Sequence, residues 1–219
     1  QTIIRIGASL GAFLGPDKKV AVSCDNHPGN IMLKHGLISG LLSTGLEVFD
    51  LGPLTTPVMR FSVKRLGLDA GIHLFFSNMN NTHIHIVDSS GNNLSPSSER
   101  KVENLFIRDD YSRKSFKDIK PVNTMYDIPT FYIRSLLDNV ITKELQRKNY
   151  SILISTGSSR IVNYILHQVL NELGCKVKIC KNNLAKVMQE GNYDLGCRLD
   201  YNGETIELFD EKGKRISKE

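Results

Sequence analysis

The segment KVAVSCDNHPGNIMLKHGLISGLLSTGLEVF, residues 19–49, decides the fold. It opens with a short apolar run at residues 19–23, bounded by turn residues, that predicts a β-strand. A polar loop follows, and residues 31–43 then repeat apolar side chains with a helical period. A second strand is expected at residues 46–49. A strand, a helix and a strand in this order need a crossover connection, which favours parallel strands covered by helices.

The same order of elements returns in the second half of the chain. Residues 150–154 predict a strand, residues 161–173 a helix and residues 175–179 another strand. Both predicted helices end at a glycine, Gly45 and Gly174, because a left-handed cap costs least for a residue without a Cβ. The repeat predicts the α/β class, with two domains that each contain a mixed, mostly parallel sheet and flanking helices.

A domain boundary is expected between the two copies. Ser95 followed by Pro96 is typical of a helix start, and a highly charged connector follows at residues 108–122. We therefore assign residues 1–118 to a first domain and residues 119–219 to a second. Helices are also expected at residues 3–14, 96–107 and 128–147.

The composition narrows the classes of function. The chain has 219 residues, of which 40% are hydrophobic and 23% charged, so it can bury a substantial core. Its apolar runs are shorter than the roughly 18 residues of a membrane span, and its start lacks the pattern of a signal peptide, so we expect a cytoplasmic protein. Its four cysteines form no Cys-x-x-Cys pair, which argues against a zinc site or a disulfide scaffold.

The net charge of +5 is spread along the chain. Nucleic-acid binding proteins gather basic residues on one face and interleave aromatic side chains, and this sequence does neither. The charge fits an anionic small ligand such as a sugar phosphate. We therefore expect neither a nucleic acid nor a membrane as a partner.

Three stretches of the first domain follow one another in a characteristic order. They are VAVSCDNHPGN at residues 20–30, GLISGLLSTGLEVFDLG at residues 36–52 with Thr56 and Pro57 after it, and GLDAGI at residues 67–72. This order of an apolar strand, an Asp, a basic residue, a helix, a Thr-Pro pair and a further strand resembles the N-terminal domain of the phosphohexomutases, the superfamily of phosphoglucomutase and phosphomannomutase. The resemblance implies that Asp25 and His27 contact substrate or phosphate.

The resemblance also places the catalytic serine of the family, which lies in a TASHNP loop, at Ser77. In active members a phosphoserine there gives its phosphoryl group to a sugar phosphate and takes one back from the other end. The loop at residues 75–80 reads FFSNMN, so that two phenylalanines replace small residues and Asn78 replaces the histidine. Phosphoryl transfer depends on positioning and electrostatics, so these changes favour a degenerate nucleophile site or a plain turn between strands. Asn78 is assigned to phosphate binding.

Two histidines follow in the stretch THIHIVD at residues 82–88. His83 and His85 are two residues apart on a predicted strand, so both point to the same side. We assign them to phosphate binding, with solvent-exposed strand histidines as the alternative. A metal site would need a third ligand, and the sequence offers none nearby.

The second diagnostic element of the family is a loop of the DGDADR type, whose aspartates hold a magnesium ion. The matching stretch, residues 200–205, reads DYNGET. It implies a degenerate magnesium loop formed by Asp200, Asn202 and Glu204, so no cofactor is expected unless this loop works, in which case it is magnesium. The Asn202-Gly203 pair fits a plain hairpin turn at least as well.

One stretch suggests a particular branch of the superfamily. The run ERKVENLFIRDDY at residues 99–111 resembles the divergent phosphomannomutase-like C-terminal module of mannose-1-phosphate guanylyltransferase-like fusion proteins. The leading hypothesis is a non-catalytic module, sugar-phosphate-binding or structural, from a longer chain that carries a nucleotidyltransferase domain. The alternatives are a genuine phosphohexomutase with divergent loops and an oligomerisation spacer. Whether this segment is itself an enzyme stays open at this point.

Overall fold

The computed structural model describes residues 1–76, 81–140, 142–157, 159–181 and 183–217, without the side chains of residues 142–144. The contacts divide the chain into two units, Gln1–Ile128 and Pro129–Glu219. The boundary expected between residues 118 and 119 lies before a short strand, Asn123–Thr124, that pairs with the sheet of the first unit. This pairing keeps the connector with the first unit.

The first unit is built around one five-stranded sheet. Its elements are α1 Thr2–Leu14, β1 Lys19–Cys24, α2 Pro28–Ser43, β2 Glu47–Pro53, α3 Thr56–Leu66, β3 Ala70–Phe76, β4 Thr82–Asp88, α4 Pro96–Arg108 and β5 Asn123–Thr124. The strand order is β4-β3-β1-β2-β5, in which β4 alone is antiparallel to its neighbour. The predicted mixed, mostly parallel sheet is confirmed.

Glycines allow α1 and α2 to pack closely. A Cβ on Gly7 would lie 2.4 Å from the Leu37 carbonyl oxygen, and one on Gly40 would lie 2.2 Å from the Ile4 carbonyl oxygen. The two helices therefore approach through their backbones and cover one face of the sheet, where fully buried side chains such as Leu10, Val20, Val22, Leu37, Leu41 and Ile72 form the main core.

The second unit repeats this architecture on a smaller scale. Its elements are α5 Ile128–Leu137, α6 Thr142–Lys148, β6 Ser151–Ser155, α7 Arg160–Glu172, β7 Lys176–Ile179, α8 Leu184–Glu190, β8 Leu195–Leu199 and β9 Ile206–Phe209. The sheet order is β7-β6-β8-β9, with β9 antiparallel to β8. Along β6, Leu153 packs with Leu184 of α8, whereas Ile152 and Ile154 belong to the core on the other face.

Several helix ends follow the sequence signals. Ser95 caps α4 by accepting a hydrogen bond from the Ser98 N–H, and Gly45 and Gly174 adopt positive φ angles of 92° and 77° after α2 and α7. Residues 128–147, predicted as one helix, form two. The end of α5 tightens into shorter turns, in which the N–H of Asn139 bonds to the Leu136 carbonyl, and this ends the helix.

Within the described part of the chain, no helix combines the length and the apolar character needed to cross a bilayer.

Candidate functional site

The carboxyl ends of β1 and β3 lie side by side at one edge of the first sheet. Cys24, the last residue of β1, pairs in register with Leu74 of β3. The N-terminus of α2 begins at Pro28, directly after the loop that leaves β1. Ligand sites in α/β sheets form at this edge, outside the carboxyl ends of the strands. Ser77 and Asn78 follow β3 in sequence but lie outside the described residues, so their predicted roles stay predictions.

Asp25, the first residue after β1, is almost completely buried, with 4% of its surface exposed. Its Oδ2 accepts a hydrogen bond from the backbone N–H of Phe76 at 2.7 Å. Its Oδ1 accepts two more, from the His27 N–H at 2.9 Å and from Asn30 Nδ2 at 2.9 Å. The carboxylate therefore binds three N–H groups of the protein itself. The predicted contact of Asp25 with a phosphate stays a prediction.

Asn30 extends these contacts to the next strand. Its side chain is fully buried, and its Oδ1 accepts a hydrogen bond from Thr82 Oγ1 at 2.7 Å. We call Asp25, His27, Asn30, Phe76 and Thr82 the flank network, because Phe76 and Thr82 flank residues 77–81 in the sequence. The network fixes the end of β3 and the start of β4 to the loop after β1.

His27 caps the N-terminus of α2. Its Nδ1 accepts a hydrogen bond from the Gly29 N–H at 3.2 Å, which leaves the ring proton on Nε2. The imidazole stacks on the Phe76 ring with a centroid distance of 4.4 Å and an interplanar angle of 5°. An N–H donor thus lies at a helix N-terminus, where the backbone dipoles favour an anion, beside the residue that precedes Ser77.

His83 and His85 point to the same face of β4, as predicted. They pair in register with Phe75 and His73 of β3. The Phe75 ring stacks with His83 at 5.3 Å and meets His85 edge-on at 4.6 Å, and buried His73 Nδ1 lies 2.7 Å from Ser23 Oγ. Among the described residues, no three His, Cys, Asp or Glu side chains converge in a way that could hold a metal. Phosphate binding by His83 and His85 stays a prediction.

A buried ion pair lies behind this edge and was missed by the sequence analysis. Lys34 Nζ of α2 contacts both carboxylate oxygens of Asp50 in β2, at 2.7 and 2.8 Å, and both side chains are less than one tenth exposed. The backbone N–H of Gly52 also donates to Asp50. The sequence did contain a signal for this pair: Lys34 lies among the apolar residues of a predicted helix, and Asp50 follows directly after the next predicted strand.

The predicted magnesium loop in the second unit is a hairpin between β8 and β9. The turn begins at Asp200, whose carbonyl accepts from the Gly203 N–H at 3.2 Å, and Gly203 has a φ of 75°. The hairpin between β8 and β9 is therefore confirmed, but the predicted turn at residues 201–204 is wrong, because the turn runs from Asp200 to Gly203 and leaves Gly203 at its last position. The Asp200 Oδ1 accepts from the Glu204 N–H at 2.9 Å, and Asn202 is buried.

These contacts do not suit magnesium. Magnesium requires several hard oxygen ligands in a near-octahedral arrangement. One carboxylate oxygen of Asp200 already accepts a hydrogen bond from the backbone of its own loop. Among the described residues, no three carboxyl groups lie close enough together at this hairpin to bind one metal ion. The side chain of Asp200 therefore stabilises the turn of its own loop.

The two sheets define an α/β protein with a polar, helix-capped edge of the kind that binds anionic ligands. The chain belongs to the phosphoglucomutase/phosphomannomutase family, since residues 1–113 match the model of its alpha/beta/alpha domain I.

Known proteins resemble the whole chain. It is 25% identical to the phosphoglucosamine/phosphogalactosamine mutase of Sulfurisphaera tokodaii, over 98% of this chain and 52% of the relative. It is 27% identical to a protein of Pyrococcus furiosus described as a phosphoglucosamine mutase, over 100% of this chain and 51% of the relative. A phosphopentomutase of Thermococcus kodakarensis is 26% identical, over 100% of this chain and 51% of that protein.

A solved structure shows the same fold. The phosphoglucomutase/phosphomannomutase family protein of Burkholderia thailandensis superposes with a TM-score of 0.80 at 15% identity, over 98% of this chain and 51% of that chain. The chain spans about half the length of the relatives it matches.

Proposed function

We propose that this chain is the part of a genuine phosphosugar mutase that carries the phosphoryl group, on Ser77. One observation supports the proposal most strongly: Asp25 binds the backbone directly before Ser77, next to the α2 N-terminus and the Nε2–H of His27. The names of the Sulfurisphaera and Pyrococcus relatives favour a hexosamine phosphate as the substrate.

The proposed reaction proceeds in two transfers. In the first, the bond between Ser77 Oγ and phosphorus breaks, a sugar hydroxyl oxygen forms a bond to that phosphorus, and the hydroxyl proton ends on Ser77 Oγ, which gives a sugar bisphosphate and a free serine. In the second, the bond between phosphorus and the oxygen at the other end of the sugar breaks, Ser77 Oγ takes that phosphoryl group, and its proton ends on the sugar oxygen. The negative charge on the transferring group is stabilised by the His27 Nε2–H and by the N-terminal N–H groups of α2.

A non-catalytic module is the second candidate. It is favoured by the two aromatic rings of Phe75 and Phe76, which pack against histidines directly before Ser77. It is also favoured by the use of Asp200 within its own loop. The origin in a guanylyltransferase fusion, which was the leading hypothesis from the sequence, gains no support from the relatives' names, which favour the mutase alternative.

Phosphorylation of Ser77 separates the two candidates. The chain is incubated with glucosamine 1,6-bisphosphate, and in parallel with a pentose 1,5-bisphosphate, and the products are mapped by peptide mass spectrometry. A mutase gives a phosphoryl adduct on Ser77 that forms faster with its own sugar class. Ser77→Ala removes the adduct, whereas the exposed Ser115→Ala keeps it. A folded chain without an adduct from either sugar contradicts the proposal and favours the non-catalytic module.

A further inference from the structure

We propose that Asp25, Asn30 and Thr82 are positioning residues that hold the two ends of the segment carrying Ser77. The inference rests on the proposed function, and it assigns to these residues a role in the rate of phosphoryl transfer. It does not require any of them to touch the substrate.

The first anchor is Asp25. A carboxylate that is 4% exposed is costly to bury unless its oxygens are hydrogen-bonded, and here three N–H groups bind it. The backbone of Asp25 adds a fourth contact, because its own N–H donates to the Leu74 carbonyl at 2.9 Å. Phe76 is therefore held through its backbone, independently of its side chain.

The second anchor is Asn30, which connects the two sides. Its Nδ2 donates to Asp25 and its Oδ1 accepts from Thr82 Oγ1, so the orientation of the amide is fixed by both neighbours. The Asn30 N–H also donates to the His27 carbonyl at 2.9 Å, within the first turn of α2. The buried amide of Asn30 thus connects Thr82, at the start of β4, to Asp25, which binds the backbone at the end of β3.

Phosphoryl transfer depends strongly on where the reacting oxygen lies. A displacement of about 1 Å can reduce a rate by roughly a hundredfold, even when the change lies away from the chemistry. Residues 77–81 lie between Phe76, whose backbone N–H binds Asp25, and Thr82, whose side chain binds Asn30. Loosening one boundary should therefore slow the transfer more than it destabilises the fold.

Thr82→Val is the sharpest variant, because it keeps the shape of the side chain and removes only the O–H donated to Asn30. We expect phosphoryl transfer from Ser77 to a sugar monophosphate to slow on the order of tenfold in single-turnover measurements. Thr82→Ser keeps the hydroxyl and should restore the rate. Ser39→Ala is the matched control, since its exposed hydroxyl donates to the His35 carbonyl within α2. Its rate should equal that of the unmodified chain.

Asp25→Asn tests the other boundary by a measurement that does not need activity. Hydrogen exchange of the Phe76 amide should become about tenfold faster, because an amide binds the three N–H donors less well than a carboxylate. Unchanged exchange at Phe76 overturns the anchor on this side.

The outcomes separate the inference from the proposed function. If the unmodified chain never carries a phosphoryl group on Ser77, the proposed function fails and the positioning role fails with it. If the chain is phosphorylated and Thr82→Val transfers at the unmodified rate, the positioning role alone is overturned. The positioning role is also overturned if Thr82→Val and Thr82→Ser lower the midpoint of thermal unfolding equally and slow the transfer equally. The contact would then be purely structural.

Discussion

The Asp25 carboxylate accepts a hydrogen bond from the backbone N–H of Phe76 at 2.7 Å, across a separation of 51 residues in the sequence. This contact joins the loop after β1 to the residue that precedes Ser77. The buried side chain of Asp25 thus stabilises the backbone both after the end of β1 and at the end of β3. Its removal should therefore lower the stability of the fold.

Asp25→Ala should lower the free energy of unfolding by about 3 kcal/mol, because it leaves the N–H groups of His27 and Phe76 and the Asn30 amide without their acceptor. Urea denaturation followed by circular dichroism measures the change. Asp118→Ala, at an exposed position in the connector, should change it by less than about 0.5 kcal/mol. Equal effects of the two variants would contradict the buried network.

The Lys34–Asp50 pair should show strong coupling. Removing either partner alone leaves the other charge buried, so Lys34→Met and Asp50→Asn should each cost about 3 to 5 kcal/mol. The double variant should cost clearly less than the sum, which a double-mutant cycle in urea measures. Lys64→Met, at an exposed position in α3, is the control. Additive costs would mean that the two charges do not interact.

The stability contributed by Asp69 should depend on pH. The hydrogen bond from Lys18, assisted by the Lys19 N–H, lowers the pKa of the Asp69 carboxyl below its ordinary value. The ionised Asp69 carboxylate stabilises the folded chain fully at a pH above the pKa that this group has in the unfolded chain, near 4. This stabilisation is lost as the pH falls through the lower pKa that the group has in the folded chain. Because both side chains are partly exposed, Lys18→Met should cost only about 0.5 kcal/mol at pH 6.

Unfolding by urea at pH 6 and at pH 2.5 tests this dependence. The difference between the unmodified chain and Lys18→Met should shrink at the lower pH. A difference that grows as the pH falls would contradict the assigned ion pair.

Two buried thiols should resist labelling. Burial raises the pKa of Cys24 to about 11 and that of Cys197 to about 11, so little reactive thiolate exists at pH 8. Cys175 is only partly buried and should react first with a disulfide reagent. Peptide mapping of the native chain after brief labelling measures the order. Labelling of Cys24 as fast as in urea would show that the core around β1 is open.

Magnesium should bind the hairpin between β8 and β9 only weakly. Titration calorimetry with magnesium chloride should detect no binding tighter than about millimolar, because Asp200 already accepts a hydrogen bond from its own loop. A tight site that Asp200→Asn abolishes would show that the loop rearranges into a metal site.

The sequence predicted the fold because its signals are local. The repeated order of strand and helix, the Ser95 cap and the glycines after α2 and α7 all act within a few residues, and the structure confirms them. The break between α5 and α6 was missed because it depends on a few turn residues inside one helical pattern.

The candidate site was less predictable because its contacts are remote in sequence. The resemblance drew attention to Asp25 and His27, whose contact with a phosphate stays a prediction, but the spacing could not reveal that Asp25 binds Phe76 or that Asn30 binds Thr82. The hairpin between β8 and β9 was predictable because the Asn202-Gly203 pair is a local turn signal, although the turn itself runs from Asp200 to Gly203.

The proposed function requires Ser77 to pass a phosphoryl group to a sugar. In the most direct measurement, the chain is first phosphorylated with glucosamine 1,6-bisphosphate and the free sugar is removed. Glucosamine 6-phosphate is then added, and the intact mass of the protein is followed with time. The protein should lose one phosphoryl group while glucosamine 1,6-bisphosphate forms in equal amount. A phosphoryl group that stays on the protein, or that is released only as inorganic phosphate, would contradict the proposed function.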